Sequence, residues 1–251
     1  MTVTTLSLDN IVSQANQLIN SPQYLTIHEK RIIWMLASVI DESDSSFRSH
    51  TFKVEDIARN LDVKTRNLYK AVETTIDSLI DKSFIIDDNG DKVKAGWLSS
   101  ARYLKNKGMV RLEFSAELAP FLLLLKESGV DHTSFKLKNV LSLRSKYSGK
   151  MYELLKQYEG KSSPQIKVDE LRKLLGVPDD VFPLYAKVKE KVIVKAQNDL
   201  KERTDIQFDF EQIKVGRKVE SIIFHVNTNN SLEPPILMSE PDDDINRIAI
   251  N

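Results

Sequence analysis

Residues 183–226 read PLYAKVKEKVIVKAQNDLKERTDIQFDFEQIKVGRKVESIIFHV. Positions 183–203 carry a helical period. At 100° per residue, Tyr185, Val188, Val192, Ala196 and Leu200 share one side. Lys187, Lys191 and Lys195, spaced i, i+4 and i+8, share the other, with Asn198 beside them. Three like charges stacked in this way weaken an isolated helix, and an anionic partner would remove the conflict. A solvated lysine face is the plain alternative. Lys189 projects toward the apolar side and reaches an anion only if the first turn stands out from the body. After Arg203 the period changes to 2. Ile206, Phe208 and Phe210 alternate with polar residues, 214–218 is a turn, and 222–226 returns. Lys214, Arg217 and Lys218 cluster around Gly216 at the tip. A basic helix beside a basic hairpin tip suits a major groove and the phosphate backbone next to it.

Upstream, a helix is expected over about 143–159. A short helix follows over 168–175, ended by Gly176 with Pro178 just beyond. Helix, short helix, long helix, hairpin is the winged-helix order. The first half repeats it. Residues 26–41 form an amphipathic helix with Ile27, Ile32, Ile33, Leu36 and Ile40 apolar, followed by a polar loop over 41–49. A β-like stretch over 51–54 and a short helix over 54–61 lead to a turn at Asp62 and Val63. The third helix, 64–81, has the stripe Leu68, Val72, Ile76, Leu79 and Ile80. Residues 84–86 read as a strand and Asp88, Asn89 and Gly90 as a turn. Residues 97–104 and 109–114 form a hairpin pattern around 105–108, and 116–126 is an apolar helix interrupted by Pro120. The expected fold is therefore α+β, two tandem winged-helix domains at 9–130 and 131–228, linked around 129–133. Residues 1–8 are expected to be disordered, as is the acidic tail 229–251 with Pro234 and Pro235.

Two further basic clusters stand out. Lys64, Thr65, Arg66, Asn67 and Lys70 open the third helix of the first domain. Arg66 and Lys70 face away from its apolar stripe, but Glu73 and Asp77 share that side. This helix reads DNA weakly or serves as scaffold, with the tip Lys105 to Lys107 as its wing. Lys136, Lys138, Arg144, Lys146 and Lys150 open the second domain with no acid between Asp131 and Glu153. They are placed to touch phosphates near the domain junction, or form a solvated entry segment.

Composition limits the alternatives. The 251 residues are 41% hydrophobic and 29% charged, as in an ordinary globular protein. There is no cysteine, which excludes thiolate chemistry and suits a reducing cytoplasm. The opening lacks a basic segment followed by an apolar run, and the apolar runs near 32–40 and 118–125 are too short to span a bilayer, so no membrane role is expected. Net charge is zero but unevenly spread. Residues 131–228 hold 19 Lys/Arg against 14 Asp/Glu, residues 1–130 hold 16 against 17, and the tail has a net of −4. The excess in the second domain favours a polyanion. The eight glycines form no G-x-G and no G-x-x-x-x-G-K-S/T, so no nucleotide-cradling loop is expected. His28, His50, His132 and His225 are scattered, which argues against a zinc protease or a histidine-metal nickase. His28 and Glu29 read as a helix-start pair, and Trp34 and Trp97 as core. No catalytic residue, metal or cofactor is expected. A rival binding reading places the basic stripe against an acidic protein partner.

Five segments in order then resemble one family. They are Asn16–Ile19 with Leu25, Thr26 and Glu29 to Arg31; Trp97 to Phe114 followed by Leu118 to Leu122; Phe135 with Ser145 to Tyr147; Met151 to Tyr158; and Val192, Ile193, Ala196, Asn198 to Leu200, Thr204 and Asp205. Over roughly 16–226 the chain resembles the initiator replication proteins of iteron-containing, theta-replicating plasmids. The resemblance implies tandem winged helices that bind direct repeats in double-stranded origin DNA. It implies monomers that open the origin and recruit the host replication initiator and replicative helicase. It also implies self-association through the first domain, the dimer repressing the initiator's own gene. Where family members carry a basic run at the start of the second recognition helix, this chain has Lys187, Lys189 and Lys191, lysines where arginines are often seen. Lysine grips phosphate as a point charge but is a poorer bidentate reader of guanine. The alternative within the same class is a winged-helix transcriptional regulator without a replication role.

Overall fold

The computed structural model describes residues 2–64, 66–88, 90–178 and 180–230. The chain opens with strand β1 (Ile11–Ala15) and a single turn, α1 (Asn16–Ile19). Helix α2 (Ile27–Ala37) starts at a capping box: Thr26 Oγ1 accepts from Glu29 N–H, and Glu29 Oε2 accepts from Thr26 N–H at 2.6 Å. The helix-start reading of Glu29 therefore holds. Next come β2 (His50–Lys53), α3 (Val54–Asn60) and α4 (Leu68–Ile80). A hairpin of β3 (Ser83–Asp88) and β4 (Asp91–Gly96) precedes a second hairpin, β5 (Leu98–Leu104) and β6 (Met109–Phe114). The second hairpin joins β2 in a sheet of order β2-β6-β5, which completes the first winged helix. The stretch read as an apolar helix over 116–126 is shorter. A 3₁₀ turn leads to α5 (Ala119–Leu122), which takes Pro120 in its first turn, where its missing N–H costs nothing.

The second half runs β7 (His132–Lys136), α6 (Leu137–Ser142), α7 (Lys146–Lys156), β8 (Gln165–Lys167) and α8 (Val168–Leu174). A long helix follows in three pieces: α9 (Tyr185–Val188), a π-helical turn (Lys189–Val194) and α10 (Lys195–Arg203). Strands β9 (Ile206–Val215) and β10 (Lys218–Thr228) form the closing hairpin, and β8 adds to it in the order β8-β10-β9. The strand order of the first sheet thus recurs, with the first short strand against the return strand of each hairpin.

The two halves are joined more closely than a linker would join them. β1 pairs antiparallel with β7, Val12 opposite Phe135. The N–H groups of Leu137 and Lys138 donate to the carbonyls of Asn10 and Leu8 at 2.9 Å each. Residues 2–8, expected to be disordered, carry no helix or strand, yet Thr4 N–H donates to Thr51 O at 2.7 Å and Leu6 and Leu8 pack on the core. At the other end Asn229 is buried and donates to the carbonyls of Lys201 and Thr204. The acidic stretch 231–251 lies outside the described residues.

Helix α2 is the centre of the molecule. Its periodicity predicts one wet face, but Glu29, Lys30 and Arg31 are as buried as Ile32 and Trp34. The polar side meets α7. Lys30 Nζ lies 2.6 Å from Glu153 Oε2, and Trp34 Nε1–H donates to Glu153 Oε1 at 2.7 Å. Arg31 donates to Leu143 O at 2.8 Å. The helices approach closely because α7 carries Gly149 at the crossing: a Cβ there would sit 2.7 Å from the Trp34 ring. Lys150, one residue on, is 2% exposed and donates to the carbonyls of Ile19 and Ser21. The expectation that Lys150 could reach phosphate is corrected by this burial.

Two expected outcomes follow from the junction. Glu153→Ala strands a buried ammonium and an indole N–H, so urea unfolding should show a loss of about 3–5 kcal/mol. Glu153→Gln keeps an acceptor for Trp34 and should lose less. Burial and the neighbouring Lys30 ammonium push Lys150 down from its ordinary 10.5 to about 7, against the pull of Glu153. Between those values the unfolded chain binds the extra proton, so this group makes stability rise with pH through that window. Stability relative to Lys150→Met, measured by urea titration at several pH values, should increase from about pH 7 to pH 10; a constant difference would refute this.

Candidate nucleic-acid interface

The long helix of the second half turns Val188, Val192, Ile193, Ala196 and Leu200 into the core. The expected stripe holds four of these; Ile193, about 20° from Leu200 on a 100° wheel, widens the apolar side by one residue. The segment from Lys189 to Val194 is a π turn. The outward ridge is then Lys187, Glu190, Lys191, Lys195 and Asn198, all exposed. Glu190 was not part of the expected stripe. Lys187 Nζ lies 3.0 Å from its Oε2, and Lys191 Nζ 2.8 Å from its Oε1. These two ammonium groups hold the Glu190 carboxyl below the usual carboxylate range. Lys189 is half-buried, its Nζ 5.7 Å from the centre of the Phe210 ring on β9. It leaves the ridge and covers the base of the hairpin.

The hairpin tip is open. Gly216 has φ +59°, the left-handed conformation a tight turn needs here, and Val215 pairs with Lys218 to close the strands. Lys214, Arg217 and Lys218 are all exposed there. Helix and hairpin are braced together: Gln197 Nε2 donates to Phe208 O at 2.8 Å and to Asp209 Oδ1 at 3.1 Å. The basic ridge is therefore tied to the first strand of the hairpin that carries the basic tip.

A residue that sequence reasoning missed holds the start of this helix. The Arg172 guanidinium, at the end of α8, donates to the carbonyls of Pro178, Val181 and Phe182 at 2.8–2.9 Å. It ties down the loop that delivers Leu184 and the first helical turn. Nothing local marks it, because its acceptors are main-chain atoms six to ten positions away.

The first winged helix presents a more mixed surface. Asn67 caps α4, its Oδ1 accepting from Lys70 N–H at 3.1 Å. Arg66 is exposed, Lys64 pairs with Asp62 at 3.6 Å, and Lys70 pairs with Glu73 at 3.3 Å. Tyr103 on β5 donates to Asp77 Oδ1 at 2.7 Å, and burial and that carboxylate push its hydroxyl up. The acids that share this face are thus engaged by the protein's own groups. Thr65 lies outside the described residues. Lys107 is exposed at the tip, and Tyr69, half exposed on α4, lies against Gly108 beside it. The third cluster is divided. Lys136 and Lys138 both pair with Asp9, at 3.5 and 3.2 Å. Arg144 is exposed, and Lys146 Nζ sits 4.9 Å from the Tyr147 ring. Trp34 and Trp97 are core, as expected. Among the described residues no cluster of three or more His, Cys, Asp or Glu side chains is arranged to hold a metal.

Residues 11–156 match the family described as "Initiator Replication protein, WH1", and residues 167–226 match "Initiator Rep protein, WH2". The chain belongs to the initiator replication protein family. It is a replication initiator made of two winged-helix domains, and the transcriptional-regulator alternative gives way to this finding. The initiator is 22% identical to the PI protein of Escherichia coli over 247 residues, which covers 85% of this chain and 81% of that protein. It is 24% identical to an uncharacterized 27.6 kDa protein of Escherichia coli, covering 84% of this chain and 93% of the relative. Its fold matches the crystal structure of the Pi initiator protein in complex with iteron DNA, with a TM-score of 0.74 at 20% identity, over 90% of this chain and all of the other.

Arg172→Met should release the loop before the long helix of the second half. A hydrogen bond to a charged group contributes about 1.5–3 kcal/mol, so hydrogen exchange at the amides of Val181 and Lys187 should quicken by about tenfold or more. Unchanged protection would assign that order to the loop itself.

Proposed function

We propose that this initiator binds direct repeats in the double-stranded DNA of a plasmid origin, with the second winged helix supplying most of the affinity. The observation that carries the reading is the exposed basic ridge Lys187, Lys191 and Lys195 on a helix hydrogen-bonded to the hairpin whose exposed tip carries Lys214, Arg217 and Lys218. Lys195 and the three tip residues have no acidic partner among the described residues, so their charge is available to an anion. Asn198 stands beside them as a hydrogen-bonding group at the groove edge. Lys189, stacked on Phe210, adds positive potential from the flank rather than a direct reading contact. The first winged helix adds Lys64, Arg66 and Lys70 as weaker contacts, and Arg144 and Lys146 touch the backbone near the junction. The fold is that of a Pi initiator solved with iteron DNA, which supports direct repeats as the target.

On this reading the bound monomer promotes strand opening and helps load host replication proteins. The dimer forms through the first winged helix and represses the initiator's own gene. No step calls for a catalytic group, metal or cofactor, and the protein acts in the cytoplasm by binding and deforming DNA.

The test is a gel-shift titration at fixed salt on the plasmid's own repeats and on scrambled repeats. Replacing Lys187, Lys191 and Lys195 with alanine should cost several kcal/mol in total, roughly 1 each. If about six phosphates are contacted, log K should fall with log salt with a slope of roughly −5. Unchanged affinity in the triple variant, or a flat salt response, would overturn the reading.

A further inference from the structure

The recognition helix carries a single acid between Tyr185 and Lys195, and that acid, Glu190, faces outward. Its side chain is 53% exposed, and its ion-pair partners among the described residues are Lys187 and Lys191 on the same ridge. The other carboxylates of the helix are placed differently. Asp199 accepts from Ser148 Oγ at 2.6 Å, and Glu202 lies in the last turn, 3.9 Å from Arg203. Glu190 instead sits in the first half of the helix, the part that meets base edges when such a helix enters a groove. It also lies in the π turn Lys189–Val194, exposed while Val192 and Ile193 of the same turn are buried.

A carboxylate on a surface meant for phosphates weakens binding by like-charge repulsion. One chemistry uses it. In the major groove cytosine presents its N4 amino donor, which a carboxylate accepts. Guanine O6 and N7 and thymine O4 present lone pairs that repel it, and adenine sets an acceptor beside its amine. The lysines on either side match the same arrangement. Each ammonium holds the carboxylate in the free protein, and each can move to a phosphate when DNA arrives.

We propose that Glu190 is a specificity-determining residue whose carboxylate accepts a hydrogen bond from the exocyclic amine of a cytosine in the bound repeat. The proposal rests on the reading that this helix enters the major groove.

The experiment selects bound duplexes from a pool with a randomised repeat, using the full chain as wild type, Glu190→Ala, Glu190→Gln and Lys191→Ala. The wild type should require cytosine at one position, by about tenfold or more. Glu190→Ala should lose that preference alone, and should bind random-sequence duplex as well as the wild type or better. Glu190→Gln should move the preference toward adenine, whose N6 and N7 suit a carboxamide. A preference unchanged at every position in Glu190→Ala would overturn the proposal. So would a uniform loss at all positions, which would make Glu190 a brace for its lysines. Lys191→Ala tests the underlying reading separately: it should weaken binding with selectivity intact, and unchanged affinity there would count against groove entry whatever Glu190 does.

Discussion

The carboxylate of Glu153 receives an ammonium from Lys30 and an indole N–H from Trp34, all buried where α2 crosses α7. A charged group out of water is tolerated only when its partners are held in place. Everything around the crossing serves that condition. Gly149 lets the helices close, Gln23 accepts a second hydrogen bond from Lys30 at 3.0 Å, and Lys150 is occupied by two main-chain carbonyls. The β1–β7 ladder ties the same two halves a second time. The winged helices are thereby coupled through polar groups that lose their partners if the halves separate. Removing one partner while the halves stay together would leave the other buried and uncompensated, so the joint is sensitive to substitution at each of these positions.

The molecule is neutral overall, yet the tip residues Lys214, Arg217 and Lys218 and the ridge residue Lys195 have no ion-pair partner among the described residues. A neutral chain can in this way keep a local positive field without the self-repulsion of a high net charge. The division also separates the two winged helices. α4 presents Lys70 already paired with Glu73, whereas Lys195 on the second helix has no acidic partner among the described residues. The same fold, used twice, gives one surface suited to anions and one of mixed charge.

Much of the fold was legible in local pattern. The periods of α4 and of the long helix, the alternation of β9, and the caps at Thr26 and Gly176 are short-range signals, and the structure follows them. Strand β4 escaped notice because Asp91–Gly96 shows too little apolar alternation to stand out from the turn before it. Ile193 was left out of the expected stripe although it falls at its edge, about 20° from Leu200 on a 100° wheel. Lys150 was read as a surface charge for want of any local mark of burial. Glu190 and Arg172 were passed over for a related reason: the role of each depends on atoms that a wheel or a charge count does not include.

The chain alone determined its elements, their order and the sign of each exposed face, since these depend on residues a few positions apart and on the chemistry of turns. It also carried enough family-specific residues to place it among the replication initiators. Only the tertiary structure decided which polar faces stay wet. Lys30 and Glu153 are 123 positions apart, and no periodicity in either helix announces the other. Burial is a property of the assembled neighbours, so a charged residue on a helix reads the same whether it will meet water, DNA or a second helix. Packing removed Lys150 from the surface, turned Lys189 onto Phe210, and left Glu190 standing among the lysines.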